Sequence, residues 1–512
     1  MHGTSPAAEL EFTEKGELRH VHLERGVEIE SEEQSESQAG PMRVSRVWKS
    51  PVADVEFRAA GHGQVEPATM HGAQGVVVTG ESQRGKGPVI PSRLAADELT
   101  GQFGPDSVLT AMTGVGHTSL EETTATGTRQ TTSGDRLEAH FAAGGATWTK
   151  AGARRGEGRG LSGAAQIQSA TVDGHVVLIQ EPAARPGGPG GQAQAPMRAT
   201  AGRAVYEDTG EWLHLTLSPR VEDGGLQLTA DKIDVSQESG DAFAHGNVKA
   251  TWVDAGTGKA GAGKTGQPGS VALGGQGPAH VVAAEAQLHQ APGGAGGEAT
   301  FLGHARLWQQ ANSIAAPVIV LDRQKQTLVA RSTDPAEPVR AALVSAAGPE
   351  PARTPGKEAA AKPATPSVIR MRGGDLKYSD AERKAVMHGL AGGSVVAETG
   401  TATSVSSEVE VILLPPGNHA GTDGGQAQVD RMTARGHVVV TSEGRRGTGE
   451  QLVYSSESGE YVLTGTAAAP PRMTDPARGT VTGEALIFHS RDDSVSIEGG
   501  GRKTTTETTA PR

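Results

Sequence analysis

Cysteine is absent from all 512 residues of the chain. That excludes disulfide staples and thiolate metal sites, and it says nothing of the compartment. Aromatic residues are scarce at 3%, and apolar residues reach only 35%, below the usual globular share. One large compact core is therefore not expected. No apolar run reaches the roughly 18 residues that a transmembrane helix needs. The opening stretch MHGTSPAAELEFTEKGELRH lacks the apolar core of a signal peptide. A basic excess is missing too: 47 Lys and Arg stand against 59 Asp and Glu, a net charge of −12. Nucleic acid is accordingly not expected as the main partner, because phosphate binding needs clustered cations. Helical periodicity is nearly absent.

What the chain has in abundance is glycine, 72 residues, with 29 prolines. It also has alternation. In Gly447 to Gly465, Leu452 and Tyr454 share one face of a first run. Glu457, Ser458 and Gly459 turn the chain, Tyr461 and Leu463 line the return run, and Gly465 closes it. The unit recurs. Leu486, Phe488, Val495 and Ile497 repeat it before Gly499; Leu376 and Tyr378 repeat it before Gly389. Ile233 and Val235 repeat it before Gly240 and Gly246. Recurrence of this kind signals a repeat architecture. The fold class expected is all-β, with many short strands around narrow apolar stripes and Gly/Pro-rich loops.

The order along the chain supports a division into blocks. Residues 1–145 read as short alternating strands, with loops at Gly80 to Pro91 and from Gly144 to Gly160. Residues 165–345 form a second block, in which Thr171 to Ile179 reads as the start of a strand pair. This block is interrupted by RPGGPGGQAQAP and by the Gly-rich Gly256 to Gly277. Residues 346–366 read as a Pro/Ala-rich linker, 367–501 as the best-organised block, and 502–512 as a polar tail. Leu10 to Ile29 looks like a unit entered midway, so a fragment or a mis-assigned start is expected.

Few residues point to chemistry. Gly258 to Thr265, GKAGAGKT, matches the phosphate-loop pattern. The next five residues, GQPGS, oppose the helix such a loop needs, so a chance match is the reading adopted. His245 and His388 precede a glycine, whereas His304 and His437 come after one. Asn247 fills the latter place after Gly246, so these histidines read as polar residues at strand starts, not as metal ligands. Asp492-Asp493 and Glu32-Glu33 read as solvated turns. No nucleophile elbow is present. No enzyme activity, cofactor or metal is expected.

The repeat itself resembles a known family. Thr229 to Val248 has Ala230-Asp231, an alternating strand, an acidic-Gly turn and Gly246-Asn247-Val248. Met432 to Gly436, Gly449 to Gly465 and Gly483 to Phe488 succeed one another in matching order. This pattern is similar to the OstA-like, or LptA-like, family of lipopolysaccharide transport proteins. The resemblance covers Ser367 to Gly501 and Ala201 to Trp252 well, and the N-terminal third loosely. It implies an elongated open β-jellyroll, a periplasmic location, and lipid A acyl chains held in an apolar groove. It also implies end-to-end strand addition to an inner-membrane Lpt complex, to an LptD-like outer-membrane translocon, or to another copy. The groove candidates are Ile233, Val235, Phe243, Leu376, Tyr378, Leu452, Tyr454, Tyr461, Leu463, Leu486 and Phe488. The alternative is a structural or adhesive β-repeat protein with a closed interior and no lipid.

Overall fold

A computed structural model describes residues 2–37, 40–61, 64–123, 127–141, 167–181, 196–207, 212–223, 225–236, 239–252, 273, 277–290, 297–344, 368–390, 392–400, 402–414, 428–442, 444–477, 479–489, 495–499 and 505–507. The GKAGAGKT motif, the 346–366 linker and most of the 502–512 tail lie outside the described residues. So do the Asp492-Asp493 turn and nearly all of the Gly144 to Gly160 and RPGGPGGQAQAP segments. Apart from a short 3-10 turn at Pro105–Ser107, the described elements are all β-strands, so the chain is all-β. The contacts divide it into two compact units, Met1–His245 and Gly246–Arg512.

Both units use one construction. A long strand pairs along its two halves with different neighbours. In the strand Leu109–Thr123, residues 109–115 pair with Glu98–Phe103, while residues 119–122 pair with Val89–Ala96. Each unit therefore contains two antiparallel ladders that share their long strands. In the second unit Val429–Ser442 does the same: its first half pairs with Glu408–Leu413 and its second with Ala402–Ser406.

In several strands, though not in Met197–Glu207, Asn312–Asp322 or Arg445–Ser455, the middle of the strand carries a left-handed pair of residues. Gly116-His117, Gly174-His175, Gly246-Asn247, Gly303-His304 and Gly436-His437 all have positive φ. Arg25-Gly26 uses the reverse order. Each pair inserts an extra residue into its strand: Gly174 and His175 stand between Asp173 and Val176, where the neighbouring strand has only Gly202. This is a β-bulge, which bends a strand and increases its twist. Asn and His tolerate the left-handed region better than most side chains, which accounts for the residues next to the glycine. The glycine is required twice over. A Cβ at Gly174 would lie 2.2 Å from Asp135 Oδ2, and one at Gly116 would lie 2.2 Å from Asp97 Oδ2.

The structure corrects four expectations for the N-terminal half. Glu32-Glu33 is not a turn but lies within the strand Leu18–Ser37, paired with Ser45 and Val44. The strands there are not all short: Leu18–Ser37 has 20 residues and Gly40–Gly61 has 22. Thr171 to Ile179 does not start a strand pair but lies inside one bulged strand, Ile167–Glu181. Gly80 to Pro91 is mostly strand, Val76–Arg84 and Val89–Ala96. In each case a Gly or polar interruption reads as a loop in sequence, yet the ladder continues through it.

The hairpins are where alternation put them. Leu452 pairs with Leu463 and Tyr454 with Tyr461 around the turn at residues 456–459. Leu486 pairs with Ile497 and Phe488 with Val495. Leu376 and Tyr378 lie on Asp375–Ser379, and Ile233 and Val235 on Lys232–Ser236.

Replacing Gly174 with Ala is expected to destabilise the chain by about 2–4 kcal/mol in urea unfolding, from left-handed strain plus the clash with Asp135. The control Gly392→Ala, also at positive φ but with open space around it, should lose only about 1–2 kcal/mol.

Candidate functional site

The interior is a seam with two walls. Strand residues alternate, so the register carries each inward row from strand to strand. In the first unit one row next to the bulges runs Leu99, Gly114, Leu137, Val172, Ala204, Leu215, Ile233. All its large side chains are buried, from Leu99 and Leu215 at 0% to Val172 at 7%. In the second unit the matching row runs Phe301, Ile319, Ala330, Leu376, Met387, Val409, Ala434, Leu452, Leu463, Leu486, and none of these exceeds 1% exposure. Each buried Leu, Ile or Phe contributes about 1.5–3 kcal/mol. These rows hold the fold together.

The two ladders of a unit face each other. A Cβ at Gly72 would lie 2.6 Å from the Trp48 ring, and these residues belong to different ladders. Likewise a Cβ at Gly447 would lie 3.1 Å from Leu463 and 3.5 Å from Phe488. Large residues on one wall thus fill the space left by glycine on the other.

The next row outward separates the two units. In the second unit it runs Ala299, Leu321, Leu328, Tyr378, Ala385, Val411, Met432, Tyr454 and is buried throughout. Tyr378 completes the closure by donating its hydroxyl to Asp380 Oδ1 at 2.8 Å, and burial pushes its pKa up. At the end of the row Tyr461, Phe488 and Val495 are only half-buried. The Tyr454 and Tyr461 rings pack at 4.7 Å, and burial raises the Tyr461 pKa to about 12. In the first unit the corresponding row runs Met112, Ala139, Ala170, Tyr206, Leu213, Val235. There, Ala139 is fully buried and the others are partly buried, in the same range as Tyr461 and Phe488, while Val55 and Met70 further along the row are buried. Ala139 and Phe141 form a buried cluster against which the partly buried Leu109, Met112 and Ala170 pack.

The sequence candidates are therefore distributed unevenly. Ile233, Leu376, Tyr378, Leu452, Tyr454, Leu463 and Leu486 are core residues with no more than 7% exposure. Val235 lies on the partly buried row of the first unit, and Tyr461 and Phe488 lie at the less covered end of the second. Phe243 points the other way. It pairs with Asp234, which alternates with Ile233 and Val235, and its ring packs against Trp212 at 5.8 Å on the outer face. Sequence reading missed Met112, Tyr206 and Leu213. Their alternation was visible, but their exposure depends on the opposite wall.

That opposite wall carries the second surprise. On the other ladder of the first unit a single inward row runs Arg46, Gly80, Ser92, Glu122, Gln130, Gln180. A cavity of about 680 Å³ borders Gly80, Ser92 and Glu122, but most of its lining, Arg93, Glu121 and Arg129 included, belongs to the outward face, so it is not part of the seam. Glu122 is half-buried by area but closely crowded, and desolvation raises its pKa to about 7. Among the described residues it has no hydrogen-bond or ion-pair partner. Its flanking neighbours, Ser92 and Gln130, do not titrate. The nearest charges, Arg93, Glu121 and Arg129, alternate with this row and pair with one another on the opposite face.

The outer faces are charged and histidine-rich. His22 Nδ1 lies 2.6 Å from Asp54 Oδ1, and this contact raises the His22 pKa. His214 Nδ1 lies 2.5 Å from Asp234 Oδ1, with Lys232 Nζ 2.9 Å from Oδ2 and His245 Nε2 3.5 Å away. At the bulges His117 pairs with Asp97 and His175 with Asp135, both at 2.8 Å. His304 pairs with Glu337 and His388 with Asp375 and Glu408. Among the described residues no group of three His, Asp or Glu comes together as a metal site. No helix there is long and apolar enough to cross a membrane.

Glu122→Gln should reveal the desolvated carboxyl. The folded pKa lies above the ordinary 4.5, so wild-type stability is full below that value and falls as pH rises through about 7. Thermal and urea unfolding should show the variant more stable by up to about 3 kcal/mol at pH 8.5, with no difference near pH 4.

A scan against protein-family models finds no match, and a search of curated proteins finds none either. Among solved structures the chain is similar to LptH from Pseudomonas aeruginosa, described as the LptA-homologous periplasmic component of the lipopolysaccharide transport device. The two are 18% identical over 28% of this chain and 89% of that one, with a TM-score of 0.20. The fold described above rests on the strand pairings themselves.

Proposed function

We propose that the chain is a non-enzymatic lipid carrier that holds acyl chains in the trough of its first unit. The observation that carries this reading is the only partly buried apolar row from Met112 to Val235, beside the cluster of Ala139 and Phe141. An acyl chain laid along it would gain about 0.8 kcal/mol per buried CH₂. Covering that row would also remove apolar surface that a protein without a ligand leaves in water.

The lipid class comes from the repeat. Ala230-Asp231 and Gly246-Asn247-Val248 resemble the lipopolysaccharide transport family, which supports lipopolysaccharide as the cargo and the periplasm as the place. Partners in that reading are the inner-membrane Lpt complex and an LptD-like translocon, joined by strand addition. The second unit by itself favours the structural alternative, because its interior is filled from Ala299 to Tyr454. Both readings are accommodated if the first unit carries lipid and the second serves as a closed spacer.

A photo-crosslinking residue at Tyr206 or Val235 is expected to capture lipopolysaccharide in cells, and one at the closed position Val411 is not. Absence of capture at both first-unit positions, with the protein folded and present, would remove the transport reading.

A further inference from the structure

The chain has 47 basic residues against 59 acidic ones, yet one outer face of the second unit is basic. It belongs to the ladder that contains Val339–Val344, Val368–Gly373 and Val395–Thr399. Residues that alternate with the buried Ile314, Ala341, Ile369, Met371 and Ala397 point outward there. Arg306, Ala315, Arg340 and Arg372 pair in succession and form one outward row. The half-buried Val396, Val405 and Val439 continue it to Thr448 and Arg472. The next row starts at Trp308 and carries Arg370, Glu398 and Arg446. Acids stand at the borders: Glu337, which pairs with His304, Glu450 beside a bulge, and Glu507 opposite Thr480. Within the face Glu398 is the one outward carboxylate among the described residues.

Folding gains little from this arrangement. Arg340 and Arg372 stand directly opposite each other, where like charges destabilise a sheet. Glu398 engages Arg372 at 3.2 Å, and Arg306 lies 5.9 Å from the Trp308 ring centroid. Arg340, Arg370, Arg446 and Arg472 are exposed and pair with no carboxylate among the described residues. We propose that this face docks on an anionic membrane surface, where lipid phosphates accept hydrogen bonds from the arginines. Guanidinium groups hold phosphate oxygens two at a time. Trp308 and the valines between the arginines add the apolar contact that suits a headgroup boundary. The cations are spread over the face and not gathered into a pocket, which matches a layer of repeated phosphates. The acidic excess elsewhere on the chain is screened beyond about 8 Å at physiological salt. This docking is independent of the acyl-binding reading.

The test mixes the full chain with vesicles of phosphatidylcholine, alone or with about one-third phosphatidylglycerol, and measures co-sedimentation. Wild type is expected to bind the anionic vesicles at least about tenfold more tightly than the neutral ones, and less tightly as salt rises. An arginine beside an anionic surface is worth about fivefold in affinity, so Arg340→Gln should lose about fivefold and Arg340→Gln/Arg370→Gln about 25-fold. Glu398→Gln should bind more tightly than wild type. Arg331→Gln, on the outer face of the other ladder, should bind as wild type does. Circular dichroism checks that each variant is folded. Equal binding of wild type to both vesicles, or the same loss in Arg331→Gln as in Arg340→Gln, would overturn the proposal. Binding of polyglutamate that the double variant loses, with anionic vesicles left unbound, would also overturn it and give the face to an acidic protein.

Discussion

Left-handed glycine pairs bend several of the long strands on which this fold depends. At Gly116-His117 and Gly436-His437 two residues with positive φ mark the point where the strand changes partner, whereas at Gly174-His175 the strand bulges and keeps its partners. Met197–Glu207, Asn312–Asp322 and Arg445–Ser455 change partner with no positive φ. The glycine has no substitute where Asp97 or Asp135 occupies the place of a Cβ. The histidine after it is held by that same aspartate in the first unit. Repeated along the chain, such changes of partner place two walls face to face from a sequence with only 35% apolar residues. Narrow stripes suffice because the rows next to the bulges, such as Leu99 to Ile233 and Phe301 to Leu486, are buried along their length.

Given two walls, the interior is set by what stands on each. In the second unit Tyr378, Tyr454 and Met432 bury the second row as far as Tyr454, beyond which Tyr461 and Phe488 are only partly covered. In the first unit the same row is less fully covered, with Met112, Tyr206, Leu213 and Val235 partly buried. The difference lies in side-chain volume and polarity, not in topology.

Much of this was legible in the sequence. The hairpins at Leu452/Leu463 and Leu486/Ile497 came from alternation and a turn, both local signals. The recurrence of the unit gave the all-β class. The long strands were not legible, because Gly174-His175 reads as a break although the hydrogen-bonded ladder runs through it. Nor was the difference in burial: Tyr206 and Tyr378 alternate in the same way, yet Tyr206 is partly buried and Tyr378 fully. Phe243 failed for a simpler reason, since a one-residue difference in phase moves a side chain to the other face.

The absence of cysteine makes the central claim directly measurable. Single cysteines at Met112, Tyr206, Val235, Leu376 and Val411 can each be labelled with a maleimide in the native chain. The thiols of Met112→Cys, Tyr206→Cys and Val235→Cys should react readily and become protected when lipopolysaccharide is added. Those of Leu376→Cys and Val411→Cys should stay unreactive until the chain unfolds. Equal reactivity at all five positions, or lipid that protects none of the first three, would contradict the account.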